Sequence, residues 1–191
     1  MRNRATYRDL VHGTDKQSAE SIKNNGFEIK GTETGSWCGP GVYFYDIKNK
    51  AWWAANRTCE KIKQETGRKV KPTVLFADII NLESDLIFDL RIYKDLQDFE
   101  NQISELMGLY KIKLSNVEDE TERTIMLRSM LVSYYANKKD KKMVIGCFKQ
   151  RPQEKYKKAV IFANDLEIIF GVETIYCVKD PNIISNIREV Q

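Results

Sequence analysis

The chain has one histidine, His12, and only four prolines and four cysteines among its 191 residues. A single imidazole rules out paired-histidine zinc motifs and any mechanism that needs two imidazoles. Cys38, Cys59, Cys147 and Cys177 form no CxxC pair and no spacing suited to a disulfide framework or a zinc site, so free, mostly buried thiols are expected. Neither GxxxxGK[ST] nor GxGxxG occurs, so a nucleotide would have to bind without a phosphate loop or dinucleotide-fold fingerprint. No apolar run approaches the roughly 18 to 20 residues that a bilayer-crossing helix needs. The start, MRNRATYRDLVHG, has no apolar stretch of secretory type. The expectation is a cytoplasmic protein with no metal.

What is present suits one globular core: 42% hydrophobic and 30% charged residues, with no repeat, low-complexity tract or Pro/Gly/Ser linker. A single domain over 1–191 follows. The net charge of +4 permits a phosphate-bearing partner without demanding one. Tyr7 to His12 reads as a strand, followed by a helix behind a Thr14-Asp15-Lys16-Gln17 capping box and stopped at Asn24-Asn25-Gly26, with Phe27 packing back. Gly31 to Gly41 has loop composition, and Gly41 to Tyr45 reads as a strand. A helix over Asn49 to Thr66, closed by Gly67, leads to strand character from Val70 to Ile80, where Pro72 suggests an edge or entry position.

Between Asp89 and Lys142 the pattern changes to two amphipathic helices. One carries Leu96, Phe99, Ile103, Leu106 and Met107; the other carries Ile125 to Tyr135, behind a Ser115 to Glu118 capping box. Sheet signals return at Met143 to Phe148, Lys158 to Ala163 and Glu167 to Val178, the last bent or broken at Gly171. A short helix is expected at Pro181 behind an Asp180 cap. The fold class is therefore α+β, with a mostly antiparallel sheet, flanking helices and a helical insertion near 90–140.

Three places carry chemistry: His12-Gly13-Thr14, where a strand meets a helix; Gly39-Pro40-Gly41-Val42-Tyr43-Phe44, a glycine-flexed loop entering an aromatic strand; and Glu167-Ile168-Ile169-Phe170, a lone acid opening an apolar run. Taken singly, each has a plain structural reading as a capping histidine, a core aromatic or a solvent-facing glutamate. Together they resemble the diphtheria-toxin-like, poly(ADP-ribose) polymerase-like branch of ADP-ribosyltransferases. HGT is similar to that family's HG[ST], GPGVYF to its GxGxYF, and EIIFGVETIYCV to its late strand opening with a glutamate. The resemblance covers residues 7 to 56 and 143 to 179 loosely, and gives the helical stretch 90 to 140 no counterpart.

The resemblance implies a split-sheet ADP-ribosyltransferase domain with NAD as substrate and His12, Tyr43 and Glu167 as catalytic residues. His12 would hydrogen-bond a ribose hydroxyl, the Gly13 backbone would pair with the carboxamide, and Tyr43 would stack on the nicotinamide ring. Thr14, Gly41 and Trp53 complete the expected NAD-binding set, Trp53 as a second flanking aromatic alongside Trp52. Glu167 would stabilise the oxocarbenium-like transition state or orient the acceptor. Glu173 is the competing acid, but it follows Gly171 and lacks the family's glutamate-then-apolar-run context, and Asp165 falls where related families place an acceptor-selecting residue. The family's hydroxyl residue after YF is Ala51 here.

The expected activity is NAD-dependent mono-ADP-ribosyl transfer to a macromolecule, narrowly favouring nucleic acid, RNA before DNA, on the strength of the Lys138 to Lys142 and Lys155 to Lys158 runs. A small domain of this kind suits a bacterial toxin or antiviral defence effector, with an inhibitor or antitoxin protein as a candidate partner. The alternatives are protein ADP-ribosylation, NAD glycohydrolysis and a non-catalytic module that binds NAD or a partner. A Cys-His hydrolase using Cys38 or Cys147 ranks below these.

Overall fold

A computed structural model describes residues 3–29, 36–149 and 172–190. In chain order the elements are β1 (Arg4–Asp15), α1 (Lys16–Asn25), β2 (Val42–Tyr45), α2 (Lys48–Thr66), β3 (Pro72–Glu83), β4 (Ile87–Asp89), α3 (Tyr93–Lys113), α4 (Glu120–Lys138), β5 (Met143–Lys149), β6 (Val172–Val178) and β7 (Ile184–Glu189). The seven strands form one sheet in the order β4-β5-β6-β2-β1-β3-β7, antiparallel except where β4 runs parallel to β5. This is the α+β architecture expected, and α3 and α4 occupy the anticipated 90–140 stretch.

Strand periodicity sorts the side chains onto two faces. One face carries Phe44, Leu75, Met143 and Val178 and is covered by Ala19 of α1 and by Phe27. The other carries Val11, Val74, Phe88 and Val144 and is covered by Ala51 and Ala55 of α2, Ile103 of α3 and Leu131 of α4. The α3–α4 pair is seated on an aromatic cluster: Tyr135 lies 4.4 Å from Phe88 and 5.3 Å from Phe99, centroid to centroid. The Tyr135 hydroxyl also donates to Asp98 at 2.5 Å, tying the two helices together.

Both proposed capping boxes are displaced, the first by one residue and the second by four. Asp15, rather than Thr14, caps α1, its carboxylate accepting from the Ser18 N–H at 3.0 Å. Asp119, rather than Ser115, caps α4 through the Glu122 N–H at 2.9 Å. At α1 an ionised carboxylate replaces the adjacent Thr14 hydroxyl and is the stronger acceptor, while Ser115 falls at the end of α3. The stops fall where expected. Gly26 has φ 81° and its N–H reaches Ile22 O, while Gly67 has φ 72° and its N–H reaches Lys63 O, both at 2.9 Å.

Pro72 opens β3, which lies between β1 and β7, so it is an entry residue and not an edge marker. At the C-terminal end, Asp180 does cap, through Asn182 N–H at 3.1 Å, but the helix is a three-residue 3₁₀ turn, Pro181–Ile183. The chain then pairs along β3 as β7. Cys38 and Cys177 are buried, Cys59 is half-buried, Cys147 is exposed, and all four thiols are free. The expected strand at Lys158 to Ala163 and the sites at Asp165 and Glu167 lie outside the described residues.

Candidate functional site

β1 and β2 are in register at only one pair, Val11 and Tyr45. The sheet is continuous but narrowly joined there. Past that pair the His12 ring takes the place of the ladder: its Nδ1 lies 2.9 Å from the Tyr43 carbonyl oxygen. A carbonyl can only accept, so Nδ1 carries the proton and Nε2 is left as an acceptor in the neutral ring. Phe27 meets the imidazole edge-on at 5.0 Å between centroids, and Phe44 lies 5.7 Å away. This apolar enclosure disfavours the imidazolium and lowers the pKa below the ordinary 6.5, against an opposing contribution from the Tyr43 carbonyl.

One prediction follows directly. Because His12 is the only histidine, its Cε1 proton gives a single imidazole resonance, expected to titrate with a midpoint below 6.5. The unfolded chain then binds the extra proton first, so His12 withdraws stability as pH falls from the unfolded midpoint toward the folded one. A midpoint above 6.5 would contradict this burial argument.

Where the strands part, a cleft of about 750 Å³ opens between α1 and α2. His12, Gly13 and Thr14 line it from β1, and Gln17, Ser18, Ser21 and Asn25 from α1. Trp37, Gly41, Tyr43 and Tyr45 line the side formed by β2 and the loop before it, while Ala54 and Thr58 come from α2. Two of the three residues of the expected triad, 31 positions apart, therefore share one cleft with Gly13, Thr14 and Gly41.

Tyr43 is held tightly. Its hydroxyl accepts from the Cys38 N–H at 3.0 Å and donates to the Gly39 carbonyl. Burial, followed by the neighbouring Cys177 and Cys38 thiols, pushes its pKa far above the usual phenol range, so it remains a neutral ring. The loop behind it is pinned by Lys179, whose Nζ donates to the Cys38 and Pro40 carbonyls at 2.6 Å each. Gly41 is needed because a Cβ there would come within 2.5 Å of Cys177 Sγ and 2.9 Å of the Val178 carbonyl.

Gly13 has a similar reason to be glycine. A Cβ at this position would overlap the Ala51 carbonyl oxygen and stand 2.7 Å from Ala55 N. Ala51, where the resemblance implies a hydroxyl residue, is therefore wedged between helix and sheet, fully buried. Trp53 does not line the cleft. It is 41% exposed, with Lys50 Nζ 3.9 Å from its ring centroid and the Arg57 guanidinium 5.2 Å away. The tryptophan that does line the cleft is Trp37, from the glycine-rich loop. Arg128 of α4 stacks 4.5 Å from its ring centroid and donates through Nε to its carbonyl at 3.2 Å. Ser133 of the same helix crowds Gly39, where an added Cβ would come within 2.7 Å. The helical insertion thus buttresses the loop that carries Trp37. A tryptophan inside a glycine-rich loop was the available sequence signal.

Glu167 lies outside the described residues, while Glu173 lies within β6, the strand paired to β2 with Tyr43 opposite Cys177 and Tyr45 opposite Ile175. Residues 173, 175 and 177 share a face by strand periodicity, so Glu173 stands on the side of Tyr45 and Tyr43. Lys50 Nζ lies 2.7 Å from Glu173 Oε2. Apart from that ion pair, Oε2 is buried with no hydrogen-bond donor among the described residues. Tyr45 registers the acid: burial first and the Glu173 carboxylate second push its pKa up to about 12.

The lysine run offered for nucleic acid is partly committed. Lys139 pairs with Asp98 at 3.3 Å and Lys142 with Asp140 and Asp180 at 3.4 and 3.5 Å. Lys141 Nζ donates to the carbonyls of Asp85 and Ile87. Lys155 to Lys158 lie outside the described residues. No group of three or more potential metal-ligating side chains occurs among the described residues, and no helix there is long and apolar enough to cross a membrane.

No known protein-family profile matches the chain, and no solved structure matches it. The chain is similar to the uncharacterized protein MJ0359 of Methanocaldococcus jannaschii, at 21% identity over 94% of this chain and 85% of that protein.

Proposed function

We propose that this protein cleaves NAD at the nicotinamide–ribose bond and transfers ADP-ribose to a macromolecular acceptor. The observation that carries this reading is the meeting of His12, Gly13 and Tyr43 at one cleft, with the Glu173 carboxylate on the adjoining strand of the same sheet. In the proposed reaction the nicotinamide ring stacks on Tyr43 and its carboxamide pairs with the Gly13 backbone. Nε2 of His12 accepts from a ribose hydroxyl. As the C1′–N bond breaks, its electron pair leaves with nicotinamide, and positive charge develops at C1′. A fixed carboxylate in a partly dry site stabilises that charge, and Glu173, ion-paired with Lys50 at 2.7 Å, supplies it from the strand beside β2. The acceptor then bonds to C1′ and loses its proton to solvent or to the carboxylate.

The test is incubation of the full chain with NAD labelled in the adenylate part, together with a cell lysate, followed by separate nuclease and protease digestion. Labelled macromolecule with release of free nicotinamide is the expected result, and the digestion that frees the label identifies the acceptor class. Loss on nuclease treatment is the result favoured by the chain's basic character. Free ADP-ribose with no labelled polymer would make the protein a glycohydrolase. No nicotinamide release at all would remove the enzymatic reading.

A further inference from the structure

The cleft divides chemically along its length. Tyr43 and Trp37 make one end aromatic, while Gln17, Ser21 and Asn25, spaced four residues apart on α1, give the wall a polar stripe. Among the described residues lining it, Arg68 is the only lysine or arginine. The other cations nearby are engaged: Lys50 with Glu173, Lys179 with the Cys38 and Pro40 carbonyls, and Arg128 with Trp37. Arg68 makes a hydrogen bond only through its backbone N–H, to Thr66 Oγ1 at 3.3 Å, and its guanidinium has no ion pair among the described residues. The left-handed turn at Gly67, φ 72°, stops α2 immediately before it and redirects the chain to the cleft.

From this arrangement we infer that Arg68 is an anion-binding, specificity-determining residue that holds the diphosphate bridge of the dinucleotide. The inference rests on the NAD reading and deepens it. A dinucleotide carries a flat cationic ring at one end, hydroxyls along its length and two adjacent negative charges between its halves. The cleft offers an aromatic face, a row of hydroxyl and amide groups, and a single guanidinium. A planar guanidinium can donate to two phosphate oxygens at once, which an ammonium cannot reproduce in the same geometry. Arg68 then selects ligands that keep the diphosphate and contributes little to those that lack it.

The test is calorimetric binding of ADP-ribose and of adenosine to the full chain as wild type, Arg68→Ala and Arg68→Lys, with nicotinamide release from NAD followed in parallel. Arg68 is exposed, so circular dichroism and the thermal midpoint should match wild type in both variants. Arg68→Ala is expected to lose at least tenfold in ADP-ribose affinity, to change less than twofold for adenosine, and to be partly restored by lysine. Equal loss for both ligands, or no loss for ADP-ribose, overturns the assignment, as does failure of the wild type to bind ADP-ribose. Weakened binding of a short single-stranded RNA with unchanged ADP-ribose affinity overturns it too, because the cation would then serve the acceptor. If ADP-ribose binding falls as expected but the wild type never releases nicotinamide, Arg68 stands and the cleavage reading fails. If the wild type cleaves NAD and Arg68→Ala does so with an unchanged KM, only the Arg68 assignment fails.

Discussion

Glu173→Gln is expected to lower NAD cleavage by about 10²- to 10³-fold while leaving the fold intact, the scale seen when a preorganised group aimed at developing charge is removed. Glutamine keeps the volume and one oxygen acceptor but removes the negative charge that would balance the oxocarbenium. The effect should fall on kcat more than on KM, because the charge matters in the transition state more than in the bound ground state. The ion pair supplies a control. Glu173→Gln removes the charge from the ion pair with Lys50, whose side chain is 13% exposed, so some loss of stability is expected. Lys50→Met removes the lysine charge and isolates the catalytic from the electrostatic consequence. Glu167→Gln is the matching variant on the other acid. A large loss at Glu167 with little at Glu173 would move the catalytic role to Glu167 and refute the assignment drawn from β6.

The contrast between the two acids shows what the sequence could and could not reveal. The criterion in the sequence was a glutamate opening an unbroken apolar run, which Glu167 meets and Glu173, followed by Thr174, does not. Glu173 becomes a candidate through a lateral relation: pairing of β6 with β2 makes it a neighbour of Tyr45, and strand partners at high sequence separation are not written in local pattern. The same holds for Trp53 and Trp37. Helical counting placed Trp53 near the expected second aromatic, but α2 docks through Ala51 and Ala55, which turns position 53 outward. Trp37 sits in a stretch whose glycine content signals only a loop, and its place at the cleft depends on Arg128, 91 positions away.

Local signals fared better. The glycine stops of α1 and α2, the strand character around Tyr43 and the helical interruption after Asp89 all rest on interactions within a few residues, and each is found in place. The displaced caps and the short turn at Pro181–Ile183 mark the boundary of that success. A capping pattern identifies a helix start to within about a turn, but how long the helix runs is decided by what it packs against. At Ile184 the free edge of β3 offered a ladder, and β7 formed instead.

Gly13→Ala is expected to destabilise the protein by about 3 kcal/mol, the upper part of the range for overpacking a well-filled core. Backbone conformation does not require glycine at this position, since the residue is in a strand and its φ is not in the left-handed region. The requirement is steric and comes from α2. The new methyl would overlap the Ala51 carbonyl and press on Ala55 N. Both obstacles are backbone, so no rotamer change or side-chain truncation relieves them. Ala51→Gly should not rescue the variant, because it leaves the carbonyl in place. Relief requires α2 to move away from β1, and α2 also carries Ala54 and Thr58 on the cleft wall, so nicotinamide release should fall with stability. Chemical denaturation of Gly13→Ala beside Gly108→Ala provides the check. Gly108 lies within α3 with nothing within 4 Å of an added Cβ, so the same methyl there should stabilise by about 1 kcal/mol through helix propensity alone. Opposite signs for the two variants would trace the cost at Gly13 to its contact with α2; a Gly13→Ala protein within about 0.5 kcal/mol of wild type, ordinary for a surface site, would show that the helix does not press on β1 there.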